Sequence, residues 1–183
     1  MELAPAPTKR RAGRGGRHPI FFGVAALVLA LDQATKELVR ATLERGDSWP
    51  SADWAVRIHH ITNTGAAFGV LKDQTGFLIV TTLIGLAAIL LYYRYPPFDH
   101  LIVPIAMGMM LGGAVGNLAD RIRLGRVTDF IDFPLWPAFN LADASVVVGI
   151  GALLAAYVLL EPRRSEPQPG PAPPDEDPEP GSR

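Results

Sequence analysis

Residues 76–93, GFLIVTTLIGLAAILLYY, run for eighteen positions without a charged side chain. A helix rises about 1.5 Å per residue, so this run is long enough to cross the hydrocarbon of a bilayer. Lipid leaves the backbone few choices, because every N–H and C=O must be paired within the chain. The stretch therefore predicts a membrane helix, and three others repeat its message. Residues 19–39 are wholly apolar from position 20 to position 31, and residues 101–119 are rich in Gly and Met. Residues 139–160, FNLADASVVVGIGALLAAYVLL, hold a single charge, Asp143. The expected fold class is an α-helical integral membrane protein with four transmembrane helices and a small β-element lying at the membrane surface.

That β-element is expected over about 52–70. Residues 40–75 are too polar to span, and within them Trp54, Val56 and Ile58 alternate with Ala55, Arg57 and His59. This is the period of a half-buried strand, and Asn63, Gly65 and Gly69 supply turn residues after it. His59 and His60 would point to opposite faces of such a strand, which does not suit a shared metal. Residues 94–100, RYPPFDH, read as a short interfacial turn, and residues 120–138 as a charged connection. In the third span Gly108, Gly112 and Gly116 stand four apart, a stripe that lets a neighbouring helix approach closely.

The ends differ from the middle. Residues 1–18 carry Lys9, Arg10, Arg11, Arg14 and Arg17 among Gly, Pro and Ala, while residues 162–183 are proline-rich and acidic. Neither can bury a core, so both are expected to be disordered tails flanking a membrane unit over 19–161. No convincing small-residue cleavage site follows Leu31, and the N-terminal stretch is read as an uncleaved tail. Four spans bring both termini to one side. The N-terminal cations, Arg94, Arg163 and Arg164 fall there, which the positive-inside rule makes cytoplasmic. The opposing connections hold Arg40, Arg45, Arg57, Lys72, Arg121, Arg123 and Arg126, so the bias is modest.

The formal net charge is only -1, and the basic N-terminus leads straight into an apolar run, so nucleic acid is not an expected partner. With no cysteine there is no thiol nucleophile and no disulfide. There is no HExxH, no GxSxG and no Walker loop. Carboxylate chemistry remains. The topology brings Asp32, Asn63, Asp120, Asp129 and Asp143 to one membrane face, where ionisable groups are expensive to desolvate and suggest function. Two aspartates sharing a proton can hydrolyse an amide, one drawing a proton from water and the other polarising the carbonyl. Asp143 lies in the first turn of the fourth span, where the helix dipole favours its charge, and Asn140 is placed to cap that helix. Spacing leaves its partner open among Asp120, Asp129 and Asp132. Asp120 is followed by Arg121, which suits a structural ion pair. Asp129 and Asp132 share the strand-like VTDFIDF but not a face. Asp32 and Lys36, four apart, read on their own as an ordinary ion pair where a helix leaves the bilayer.

The segments LDQATK, NTGAAFG, GNLADR, VTDFIDF and FNLADAS, in this order across four spans, resemble lipoprotein signal peptidase (signal peptidase II) over roughly residues 20–160. The resemblance implies an aspartic endopeptidase of the bacterial inner membrane, with both termini cytoplasmic and its site at the outer face. Such an enzyme removes the signal peptide from a prolipoprotein just before its diacylglyceryl-modified cysteine, using no metal or organic cofactor. Its partners would be lipid-modified prolipoproteins and the bilayer. The resemblance puts the catalytic pair on Asp129 and Asp143. It makes Asp32, Lys36, Asn63, Gly65, Phe68, Asn117, Asp120, Arg121 and Asn140 groups that line or brace the site. The strand and the NTGAAFG segment would lie over it and clamp the substrate backbone. Two departures touch no motif residue: the loop between Asp129 and Asn140 is short, and Thr128 stands where an apolar residue is common. The rival readings are a small transporter or channel component, or a structural membrane subunit. A transporter predicts charges spread through the bilayer depth, whereas here they gather at one face.

Overall fold

In the computed structural model, residues 17–50, 54–65, 71–96 and 100–160 are described. Among them four long helices and four short strands follow in the order α1 (Arg17–Thr42), β1 (Ser48–Trp49), β2 (Arg57–Asn63), α2 (Thr75–Arg94), α3 (Ile102–Leu124), β3 (Val127–Phe133), β4 (Trp136–Phe139) and α4 (Leu141–Leu160). All four helices are long and apolar enough to cross a membrane. Their outward faces explain the environment. α2 buries Leu78 but exposes Phe77, Val80, Leu83, Ile84 and Leu91, and α4 exposes Val147, Val148, Leu154 and Val158. In water so large an apolar surface would demand a partner; in lipid it is the ordinary exterior. The chain is an α-helical integral membrane protein carrying a small antiparallel sheet.

α3 is the central helix. It packs against all three others, most extensively against α4 and α1. Half of its most apolar window is buried, against 6 % for α2. Glycine makes these contacts possible. A Cβ on Gly108 or Gly112 would strike the Phe21 or Ala25 carbonyl of α1, and one on Gly113 the Ala142 carbonyl of α4. Away from the sheet, the buried Phe21, Val103 and Met107 form an apolar cluster, with the Tyr93 ring stacked 3.8 Å from Phe21. The buried stripe of α1 runs Phe21, Ala25, Asp32, Lys36, Val39, so a helical face that is apolar at one end turns ionic at the other.

The sheet, in the order β1-β2-β3-β4, sits at that ionic end and is antiparallel throughout. Two expectations need correction. The strand expected from Trp54 starts at Arg57 and continues to Asn63, while Trp54 and Val56 are exposed. Its partner explains the shift: β3 offers pairing from Asp132 opposite Arg57 to Val127 opposite Asn63, and nothing for residues 54–56. The third helix does not stop near Ala119 but runs on to Leu124, so Asp120, Arg121 and Arg123 are helical. Its end is set by Gly125, whose left-handed φ of 70° lets its amide donate to the Arg121 carbonyl at 3.0 Å. The remaining connection, expected as a charged link with VTDFIDF strand-like, is the β3–β4 hairpin.

Candidate active site

β3 carries Asp129, which is 2 % exposed, directly opposite Ile61 of β2. Asn63 lies diagonally across on the same face, and its Nδ2 donates to Asp129 Oδ2 at 3.0 Å. The Asn63 Oδ1 accepts from the Gly65 amide at 2.8 Å, which fixes the direction of the side-chain amide. Asp143 approaches from the first turn of α4. There Asn140 and Asp143 cap each other: the Asp143 amide donates to Asn140 Oδ1 at 3.0 Å, and the Asn140 amide donates to Asp143 Oδ2 at 3.2 Å. Asn140 Nδ2 also donates to Asp129 Oδ1 at 2.7 Å, so one residue holds both carboxylates, Asp129 through its side chain and Asp143 through its backbone amide.

Behind this pair lies a buried ionic layer. Asn117 Nδ2 donates to Asp143 Oδ1 at 2.8 Å, while its Oδ1 accepts from Lys36 Nζ at 2.8 Å and from Asn140 Nδ2 at 3.1 Å. Lys36 Nζ lies 2.9 Å from Asp32 Oδ2 and 3.4 Å from Asp120 Oδ2. The Ala142 amide, in the first turn of α4, donates to Asp32 Oδ1 at 3.0 Å. Asp120 accepts from the Thr128 amide at 3.1 Å. Every buried side-chain polar atom among the described residues has a partner, which buried charges require if they are not to destabilise the fold.

Two expectations about these charges change. Asp32 and Lys36 form the expected i,i+4 ion pair, but fully buried rather than as an ordinary pair where a helix leaves the bilayer. Gly116 permits this, since a Cβ there would collide with the Asp32 carboxylate; its role goes beyond the helix packing expected of it. Asp120 pairs with Lys36 and, at 3.8 Å, with Arg40 on α1, not with the neighbouring Arg121. Arg121 points instead toward the aspartate pair, donating to the Gly65 carbonyl at 3.5 Å.

Asp129, Asp143, Asn63, Gly65 and Arg121 line one cavity of about 630 Å³. Its other wall is apolar: Trp136 and Phe139 of β4 with Val146, Val147 and Val148 of α4. Val147 and Val148 are also part of the lipid-facing surface, so the cavity opens toward the bilayer. Burial first, and the Asp143 charge second, push the Asp129 carboxyl up to about 7, against hydrogen bonds from Asn63 and Asn140 that pull it down. Asp132 faces the other way. Its Oδ2 contacts Arg57 Nε at 2.6 Å and His59 Nδ1 at 2.9 Å. Burial acts to raise its carboxyl, but these two partners outweigh that and hold it below the ordinary value. Among the described residues no group of three His, Cys, Asp or Glu side chains is placed to hold a metal. Phe68 lies outside the described residues.

Gln33, Arg40 and Thr128 were not expected at the site. Gln33 Nε2 donates to the Gly116 carbonyl at 3.2 Å and to Asp120 Oδ1 at 3.3 Å, and Arg40 Nη1 donates to Thr128 Oγ1 at 2.9 Å. The spacing of Asp32, Lys36 and Arg40, each four apart, carried that signal for Arg40. Val146 and Val147, three and four positions after Asp143 on α4, carried the same helical signal, whereas Trp136 carried none, because the β3–β4 hairpin brings it to the wall.

The chain matches the family described as Signal peptidase (SPase) II over residues 24–159. It is 39% identical over 142 residues to the lipoprotein signal peptidase of Moorella thermoacetica, covering 78% of this chain and 93% of that one. With the lipoprotein signal peptidase of Pelotomaculum thermopropionicum it shares 42% over 144 residues, covering 76% and 90%. A bacterial membrane enzyme solved at 2.3 Å superposes with a TM-score of 0.70 at 28% identity, covering 84% of this chain and 96% of that one. The chain belongs to the signal peptidase II family of membrane aspartic peptidases.

Proposed function

We propose that this peptidase cleaves lipid-modified prolipoproteins just before the diacylglyceryl-modified cysteine, with water activated between Asp129 and Asp143. The observation that carries this reading is the shared cavity. Two carboxylates held by Asn63, Asn117 and Asn140 face a chamber whose far wall is continuous with the lipid-facing surface. A substrate with a lipid-bearing cysteine and an apolar signal helix can enter such a chamber sideways, without leaving the bilayer.

In the resting pair Asp129 holds the shared proton and Asp143 is ionised, favoured by its place at a helix N-terminus. Asp143 takes a proton from water as the oxygen attacks the scissile carbonyl carbon, and Asp129 gives its proton to the carbonyl oxygen. The resulting gem-diol collapses when Asp143 passes its proton to the leaving nitrogen and Asp129 recovers one from a diol hydroxyl. The C–N bond breaks, one water is consumed, and the pair returns to its starting state. Lys36, Asp32, Asp120 and Asn117 keep the pair in register. Both termini lie on the cytoplasmic side and the pair at the outer face, in keeping with the cations of the N-terminal tail.

The decisive test is to purify Asp129→Asn and Asp143→Asn and assay them with a diacylglyceryl-modified prolipoprotein peptide. Each is expected to lose activity by roughly 10²–10⁴-fold or more, the range for losing a positioned acid or base. Normal cleavage by either, in a folded preparation, overturns the pair.

A further inference from the structure

On the face of β3 opposite Asp129 lies a second cleft, of about 340 Å³, bounded by the C-terminal ends of α1 and α3. Thr62 and Thr128 line it and are direct cross-strand partners, so their side chains share its floor. Arg40, Arg45 and Arg126 also line it, against one carboxylate, Glu44. Arg40 is committed to Glu37, Asp120 and Thr128. Arg45 and Arg126 make no hydrogen bond or ion pair to any described residue. Cations past helix C-termini are favoured by the dipole, which accounts for their presence. It does not account for a recess with a threonine floor between two guanidiniums whose donors are unspent. A guanidinium offers five N–H groups in a fork that fits two oxygens of a phosphate or carboxylate. The cleft lies at the level of the helix ends, where headgroups meet water.

We propose that this cleft binds a phosphate-type oxyanion through Arg45, Arg126 and the Thr62 hydroxyl, supplied either by the headgroup of an anionic phospholipid or by free phosphate. Its occupant would touch, from behind, the strand that carries Asp129, because Thr128 is the preceding residue.

The test uses the full chain in neutral detergent, with the thermal midpoint followed while phosphatidylglycerol, phosphatidylcholine or inorganic phosphate is titrated. Wild type is compared with Arg45→Gln/Arg126→Gln and with Arg94→Gln, which removes a cation at the opposite end of the bundle. Wild type and Arg94→Gln should show a saturable rise with phosphatidylglycerol or with phosphate. The double variant should need at least tenfold more ligand, while cleaving lipidated peptide at the wild-type rate without added anion. A response to phosphatidylglycerol alone assigns the lipid headgroup, and one to phosphate at equal anion concentration assigns the free ion. Equal responses in wild type and double variant, a phosphatidylcholine response as large as that to phosphatidylglycerol, or no response in wild type would each overturn the site.

Discussion

Asn140 shows how much a single side chain decides here. Its Oδ1 and backbone amide close the cap with Asp143, while its Nδ2 reaches Asp129, Asn117 and the Thr128 carbonyl. These two roles can be separated. Asn140→Ser keeps a good cap but loses the donor; Asn140→Ala loses both. Calorimetry should show Ala less stable than Ser by about 1 kcal/mol, the worth of a cap, while both lose cleavage by roughly tenfold or more. The Asp129 proton gives a second residue-scale prediction. An unfolded chain releases it near 3.8, the folded one at about 7, so the folded state binds the extra proton in between. The stability this group contributes is therefore present in acid and lost as pH rises through 7. Between about pH 5 and pH 8 the thermal midpoint of wild type should fall relative to that of Asp129→Asn. In the same protein kcat/KM should decline roughly tenfold per pH unit above about 7, with the apparent value belonging to the pair. A flat profile to about pH 9 would contradict a pair that works with one shared proton.

At the scale of elements, the first turn of α4 is positioned by what α3 lacks. Gly113 lets the Ala142 carbonyl approach, and Gly116 makes room for the Asp32 carboxylate that receives the Ala142 amide. Gly113→Ala and Gly116→Ala should each lower the thermal midpoint and impair cleavage, although neither touches a carboxylate of the pair. Asp132→Asn is the control from the same strand as Asp129. It loosens the contacts with Arg57 and His59 on the other face, so activity should stay within about threefold and stability within about 1 kcal/mol. The kind of the four helices, of β2 and of β3 was legible in the sequence, because apolar length and strand alternation are local properties; β1 and β4, short strands defined by their partners, were not. The ends of the legible elements were less clear. Polarity suggested that α3 stops before Asp120, yet a charge satisfied by Lys36 and Arg40 does not break a helix, and Gly125 does the stopping. β2 was displaced by three residues because its extent is set by β3, which lies more than sixty positions away.

For the whole molecule, the proposed orientation is open to direct measurement, since the chain has no native cysteine to interfere. Lys72→Cys should react with a membrane-impermeant maleimide from outside the cell, and Tyr95→Cys only after the membrane is opened. The reverse pattern would invert the topology and with it the face assigned to the aspartate pair. The sequence by itself determined four membrane spans, the gathering of charge at one face and the resemblance to signal peptidase II. Length, hydropathy and motif order are written residue by residue, and lipid leaves an apolar run of that length little alternative to a helix. Only the tertiary structure decided the company each charge keeps. It buried the Asp32–Lys36 pair, gave Asp120 to α1 rather than to Arg121, and turned Asp129 and Asp143 into one cavity through Asn140. A buried charge must be paired wherever the packed chain offers a partner, and those partners come from helices and strands far apart in sequence.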